Sequence, residues 1–206
     1  MGAGPQPVTD NGLFPAEHRA LRELYGTTRH LAAHWDKLAA RLGGEPAKVL
    51  MRGAAAAREM LGELAGQTAV HDLHGEPAAQ GAGGQLAHLR GAADLLLERN
   101  QALRGAVLEA AHVAILLAYL AELASARGDT DLAAWLRAWE GRLRELEGAA
   151  RGVAVAEGRT PERAVQPADD SRLGRAGHSL AAGLGTVGEA IDASVLGRAV
   201  RRRRSG

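Results

Sequence analysis

The side chains most suited to chemistry in this sequence are its eight histidines, which occur in a chain without cysteine. His30 and His34 are four residues apart, so on a helix both imidazoles face the same side and can bind one metal ion. His71 and His74 are three residues apart. Because thiolate zinc sites, iron–sulfur clusters and catalytic thiols all need cysteine, any metal site must use histidine and carboxylate ligands.

Glu109 and His112 form a Glu-x-x-His pair, the spacing that ferritin-like di-iron proteins use on their bundle helices. That plan needs a second such pair on another helix, and the predicted fourth helix contains no histidine. Helical periodicity also places His112 on the outward side of its helix. A ferritin-like metal site is therefore an alternative and not the favoured interpretation.

His18, His71 and His74 are the metal-ligand candidates that the sequence favours. If the first two predicted helices form a hairpin, His18 lies level with His71 at one end of the bundle. The segment Glu17–Leu24, EHRALREL, resembles the first helix of hemerythrin-like domains, and that resemblance implies a di-iron pair held by histidines and carboxylates of four helices. The later histidine ligands of that family have no counterpart in residues 85–158. The alternative is a polar bundle end at which these histidines meet solvent.

Other catalytic templates lack support. The stretch Gly81–Gly84 is not followed by lysine and does not follow a predicted strand, so neither a phosphate-binding loop nor a dinucleotide fingerprint is indicated. None of the serines has the setting of a nucleophile elbow. We therefore predict a noncatalytic protein without a cofactor, and the alternative is a protein that binds iron or another transition metal.

Composition indicates the elements that must position these side chains. The chain of 206 residues contains 44 Ala, 29 Leu and 27 Gly but only 3% aromatic residues. A β-sheet would lack its preferred β-branched and aromatic residues, so the fold class is all-α. Apolar residues alternate spacings of three and four over about 15–42, 46–73, 85–127 and 130–157. The pattern predicts an antiparallel four-helix bundle, with the third helix unbroken through Asn100.

The chain divides into four regions by composition. We predict a disordered N-terminus over 1–14, the bundle over 15–157, a flexible linker over 158–170 and a Gly-rich, basic, amphipathic tail over 171–206. Glycine weakens a helix, so the tail is expected to form a helix only when it docks on a surface. The residues predicted to dock it are Leu180, Leu184, Val187, Ile191, Val195, Arg201, Arg202, Arg203 and Arg204.

The tail carries the functional prediction. Its segments Gly183–Gly188 and Ser194–Arg198 resemble the terminal docking peptides of encapsulin cargo proteins, which implies a protein partner. We predict an interaction or structural bundle protein that docks through this tail or self-associates. Alternatives are the metal-binding bundle and a tether to a membrane surface or to nucleic acid through the terminal arginines. No aromatic residue follows Trp139, so base stacking and specific nucleic-acid binding are not expected.

The sequence shows no secretory signal pattern at its start. Its longest uninterrupted apolar run, Val113–Ala121, is shorter than the roughly 20 residues that a membrane-spanning helix requires. A cytoplasmic protein without a transmembrane segment is the expectation.

Overall fold

The computed structural model describes residues 12–71, 73 and 97–168. This part of the chain is helical and contains no strand, which confirms the prediction of an all-α helical bundle. The elements, in chain order, are α1 (Pro15–Leu42), α2 (Gly44–Ala69), α3 (Arg99–Arg127), α4 (Thr130–Ala156), a 3-10 turn (Glu157–Arg159) and the short helix α5 (Pro161–Ala164).

The four long helices form a square in which every neighbouring pair runs antiparallel. Helix α1 packs against α2 and α3, and α4 packs against the same two helices. The turn between α1 and α2 uses Gly43 with φ of 62°, and Gly128, with φ of 89°, ends α3; glycine adopts this left-handed conformation without strain. Helix α2 lies diagonally across from α3, and Ala69, its last residue, is at the opposite end of the bundle from Arg99, the first residue of α3.

Most of the described core lies at positions that the heptad pattern predicts, and other residues such as Met60 and Leu120 complete it. Leu24, Leu31, Trp35 and Leu38 of α1 are at most 1% exposed. Small residues face them, and Gly53 of α2 lies directly against the indole ring of Trp35. On α3, alanines share the core with leucine and valine and allow its neighbours to approach closely; these buried alanines are Ala102, Ala106, Ala110, Ala114, Ala121 and Ala124.

The prediction of one unbroken helix over 85–127 is wrong at its N-terminal side. Helix α3 begins at Arg99, and Glu98 has the extended conformation, with ψ of 154°. The Glu98 amide donates to the Gln101 side chain at 3.1 Å, and the Arg99 amide donates to Gln166 O at 2.8 Å. Because a long-range contact satisfies an amide at the helix start, periodicity alone does not indicate the interruption.

The segment after α4 returns to the start of α3. The Ala168 amide donates to Leu97 O at 3.0 Å, Glu98 and Pro167 form an antiparallel bridge, and Ala168 is 2% exposed and part of the core. The residues that composition assigns to a linker therefore pack against the bundle as far as 168. A domain boundary in this region stays a prediction.

Helix α3 is also the most apolar of the four. It is long and apolar enough to cross a membrane by length and composition, with a mean hydropathy of 1.7 over its most apolar window, half of which is buried in the bundle. A core helix of a soluble protein meets the same criterion, so this is weak evidence. The expected absence of a transmembrane segment stays a prediction.

Candidate metal centre

Three metal-ligating side chains meet between α1 and α3. Helix α1 supplies His30 and His34 from successive turns, and their rings stack with centroids 5.7 Å apart and an interplanar angle of 17°. Helix α3 supplies Glu109. Ala106, about one turn before it, and Ala110, directly after it, are both fully buried. These small neighbours bring the backbone of α3 close to α1, so the glutamate side chain can reach both rings.

The carboxylate of Glu109 contacts one histidine with each of its oxygens. His34 Nδ1 lies 2.7 Å from Oε2, and His30 Nε2 lies 3.4 Å from Oε1. The first contact is a short hydrogen bond, whereas Nε2 of His30 is buried without a hydrogen bond of normal geometry. One ligand atom from each of the three residues lies within 4.8 Å of the other two.

The cluster is shielded from water and charged. The side chains of His34, Glu109 and His30 are 10%, 13% and 24% exposed. Burial raises the pKa of Glu109, but hydrogen bonding and positive charge from His30 and His34 outweigh burial and lower this pKa to about 2. Glu109 is therefore a carboxylate at neutral pH, the form that binds a metal ion.

The separation of His30 and Glu109 fits a bound ion, and that of His34 and Glu109 needs a small change. A tetrahedral zinc ion with bonds of about 2.0–2.2 Å holds its ligand atoms about 3.3–3.5 Å apart. The contact between His30 and Glu109 already has this separation. The hydrogen bond between His34 and Glu109 must open by less than about 1 Å, which a change of side-chain rotamer supplies. Three protein ligands leave one position for water.

His112, the other member of the Glu-x-x-His pair on α3, lies outside this cluster. His112 faces outward as periodicity predicts, and its Nε2 lies 3.3 Å from Glu23 Oε1 with both side chains about half exposed, at 53% and 52%. His112 and Glu109 do not converge on one point, because the two residues contact different parts of α1. His112 and Glu23 therefore supply one imidazole and one carboxylate that are both in contact with water.

His18 and His71 lie at one end of the bundle, away from this cluster. Glu17, the residue before His18, is fully buried and accepts two hydrogen bonds from Arg127, at 2.9 and 3.0 Å. A backbone hydrogen bond from Leu132 lowers the pKa of Asp129, burial raises it, and the charges of Arg127 and His71 lower it further. This end of the bundle is thus a network of ion pairs.

The favoured ligand set of the sequence stays a prediction. Within the described residues, the group of three ligand-type side chains is His30, His34 and Glu109, and it includes neither His18 nor His71. His74 lies outside the described residues, as do the predicted docking residues of the tail, Leu180, Leu184, Val187, Ile191, Val195 and Arg201 to Arg204.

The sequence singles out His30 and His34 by their spacing but favours His18, His71 and His74 as ligands, and it does not connect Glu109 with His30 and His34. The spacing of His30 and His34 indicates a shared helix face. Glu109 is separated from them by 75 residues or more, and its pairing depends on the register between α1 and α3. A usable signal was a glutamate surrounded by alanine and valine in the most apolar helix, because buried carboxylates need partners.

The described helices and this cluster define an all-α bundle with a histidine–carboxylate group between two of its helices. Comparisons of the chain with protein-family models, with curated proteins and with solved structures found no match. The geometry of His30, His34 and Glu109 is consequently where a functional assignment begins.

Proposed function

We propose that this protein is a metal-binding helical bundle that holds one divalent transition-metal ion between α1 and α3. The observation that carries the proposal is the convergence of two imidazoles and one carboxylate from two helices. His30, His34 and Glu109 would be the protein ligands. The ion would link the two helices at the middle of their contact.

The ligand set favours transition metals over Ca²⁺ or Mg²⁺. Imidazole nitrogen suits zinc, iron, copper and nickel, whereas calcium and magnesium prefer sites made of oxygen ligands. Two histidines with one carboxylate also leave an open position, which is typical of sites that exchange a ligand or activate water. We expect Zn²⁺ to be a suitable probe because it tolerates a four-coordinate site of this composition.

Calorimetric titration with Zn²⁺ at neutral pH tests the proposal. Wild-type protein, first treated with a chelator, should bind close to one ion per chain. Glu109→Gln and His34→Ala should each weaken binding at least tenfold, because each variant removes one of three protein ligands. Binding should also weaken below pH 6, where protons compete for the imidazoles.

Two matched variants distinguish this site from others on the surface. His112→Ala removes a histidine that also contacts a glutamate of α1, and it should leave zinc affinity unchanged. His71→Ala tests the ligand set favoured by the sequence. If His71→Ala abolishes binding while Glu109→Gln does not, the site proposed here is wrong, and the ion binds at the end of the bundle that contains His71.

The interaction role predicted from the tail is a separate proposal. Its docking residues lie outside the described part of the chain, so no contact of theirs supports it. The described feature that bears on it is an exposed apolar surface on α3, which suggests where such a tail would dock.

A further inference from the structure

Helix α3 is the most apolar of the four long helices, yet it exposes three large apolar side chains on one side. Leu108, Ile115 and Tyr119 are 70%, 59% and 48% exposed. We name these three residues the outer face of α3. Large apolar side chains in a row along one helix are normally covered by a partner, so we expect the outer face to be covered by something that the described residues do not include.

The outer face has the form of a helix-packing surface. Its residues follow one another at steps of seven and four, which keeps them on one side of a helix over about 16 Å. His112 lies between Leu108 and Ile115 on this side and is paired with Glu23 of α1, so the apolar surface is a row of three side chains with one imidazole among them. A second helix laid lengthwise along α3 would match it.

The tail of the same chain contains the matching pattern. Leu184, Ile191 and Val195 also follow at steps of seven and four. Two parallel helices with equal steps bring three pairs of apolar side chains together in one register. Gly188 belongs to the same side of the tail, and its lack of a side chain would leave room for the His112 imidazole, which lies at the same level of α3.

The path of the chain brings the tail to the right place. Ala168 is hydrogen-bonded to Leu97, two residues before α3, and the chain there runs antiparallel to residues 97–99. The next residues, Asp169, Asp170 and Ser171, are types that favour turns and helix N-caps. A reversal at these residues would start a helix about one turn before α3 and direct it parallel to α3.

This path also sets the register and the charges. A helix that starts about one turn before α3 brings Leu184 level with Leu108, and Ile191 level with Ile115. In the same register Arg198 falls level with Glu122, whose side chain is 78% exposed and lies 3.4 Å from Arg137. Arg201 to Arg204 would lie level with the last residues of α3 and its cap, where the helix dipole favours positive charge.

We propose that residues 171–200 dock on the outer face of α3 as a parallel fifth helix of the bundle. Leu184, Ile191 and Val195 cover Leu108, Ile115 and Tyr119. The many glycines make this helix weak on its own, so its helical structure depends on docking. The tail thereby serves as a cover for an apolar surface that would otherwise be free to associate.

Disulfide formation in the full chain tests this arrangement, because the natural sequence contains no cysteine. The variant Ile115→Cys with Ile191→Cys should form a disulfide within one chain under mild oxidation. The control is Met51→Cys with Ile191→Cys, since Met51 is 58% exposed but lies on α2, diagonally across the bundle. The Ile115 pair should close at least tenfold faster than the control pair.

Each alternative occupant gives a different result. A disulfide that forms only between two chains would mean that a second copy covers the face, and it would overturn the proposal. A rate equal to that of the control pair would mean that the tail does not dock there, and the proposal would also fail. Circular dichroism of both variants, compared with wild type, verifies that the bundle remains folded.

Discussion

At the scale of single residues, the decisive feature is a carboxylate that is buried with two histidines. An isolated buried carboxylate would be strongly unfavourable. Glu109 remains charged because His34 Nδ1 donates a hydrogen bond to one of its oxygens at 2.7 Å and His30 Nε2 lies 3.4 Å from the other. The same arrangement that stabilises the carboxylate without metal also collects the donor atoms that an ion needs.

The pKa of Glu109 predicts how the metal-free protein responds to acid. The pKa falls from its usual value of 4.5 to about 2 on folding, so between these pH values the unfolded chain binds more protons than the folded one. The stabilisation is fully present above pH 4.5 and is lost as the pH falls towards 2. It amounts to about 3 kcal/mol at most. Urea unfolding of chelator-treated protein across this range measures it.

Glu109→Gln should remove this part of the acid dependence, because the amide does not titrate. Glu23→Gln is the matched control, since Glu23 contacts His112 but is half exposed; it should retain the wild-type slope. Identical slopes for wild type and Glu109→Gln would show that Glu109 does not titrate as described.

At the scale of elements, the contact between α1 and α2 depends on one small residue opposite one large one. The indole of Trp35 is fully buried and occupies the position that a side chain of Gly53 would need. A Cβ built on Gly53 would overlap Cζ3 and Cε3 of that ring. The spacing of the two helices is therefore matched to glycine at this position.

Gly53→Ala should destabilise the bundle by about 1–3 kcal/mol, because the ring or the helix must move to admit a methyl group. The control is Gly62→Ala on the same helix, where a Cβ meets nothing within 4 Å. That change should be neutral or raise stability by up to about 1 kcal/mol, since alanine favours a helix. Thermal unfolding of both variants measures the difference; equal effects would contradict the packing described.

At the scale of the whole molecule, the bundle is closed at both ends by contacts between distant parts of the chain. Glu17 pairs with Arg127 at one end, at 2.9 Å. At the other end Arg99 pairs with Glu157 at 3.1 Å, and Ala168 enters the core beside them. The segment after α4 is thus part of the folded unit and directs the chain towards α3.

Ala168→Glu tests this closure. Ala168 is 2% exposed, so a carboxylate there must be buried or must displace the segment. We expect a loss of about 2–4 kcal/mol in the free energy of unfolding. Val165→Glu, at a position that is 53% exposed, should change it by less than about 0.5 kcal/mol. A harmless Ala168→Glu would mean that the segment does not pack against the bundle.

The fold was largely predictable because the residues that determine each helix lie close together in the sequence. Leu24, Leu31 and Trp35 repeat at steps that mark a buried helix face, and Gly128 with Asp129 marks a helix end and the next helix start. Interruption of the third helix at Glu98 was not predictable, since the Arg99 amide donates to Gln166 O and the Ala168 amide donates to Leu97 O. For the same reason the sequence drew attention to His30 and His34 and separately to Glu109, but it could not bring them together, because their contact depends on helix register.

The most direct test of the central claim is the absorption spectrum of the protein titrated with Co²⁺, a substitute for zinc that reports its own coordination. Chelator-treated wild type should develop the strong visible bands of four-coordinate cobalt, complete at one ion per chain. His112→Ala should give the same spectrum, whereas Glu109→Gln should lose it. If the wild-type spectrum remains that of hydrated cobalt, or if Glu109→Gln leaves the bands unchanged, His30, His34 and Glu109 are not a metal site.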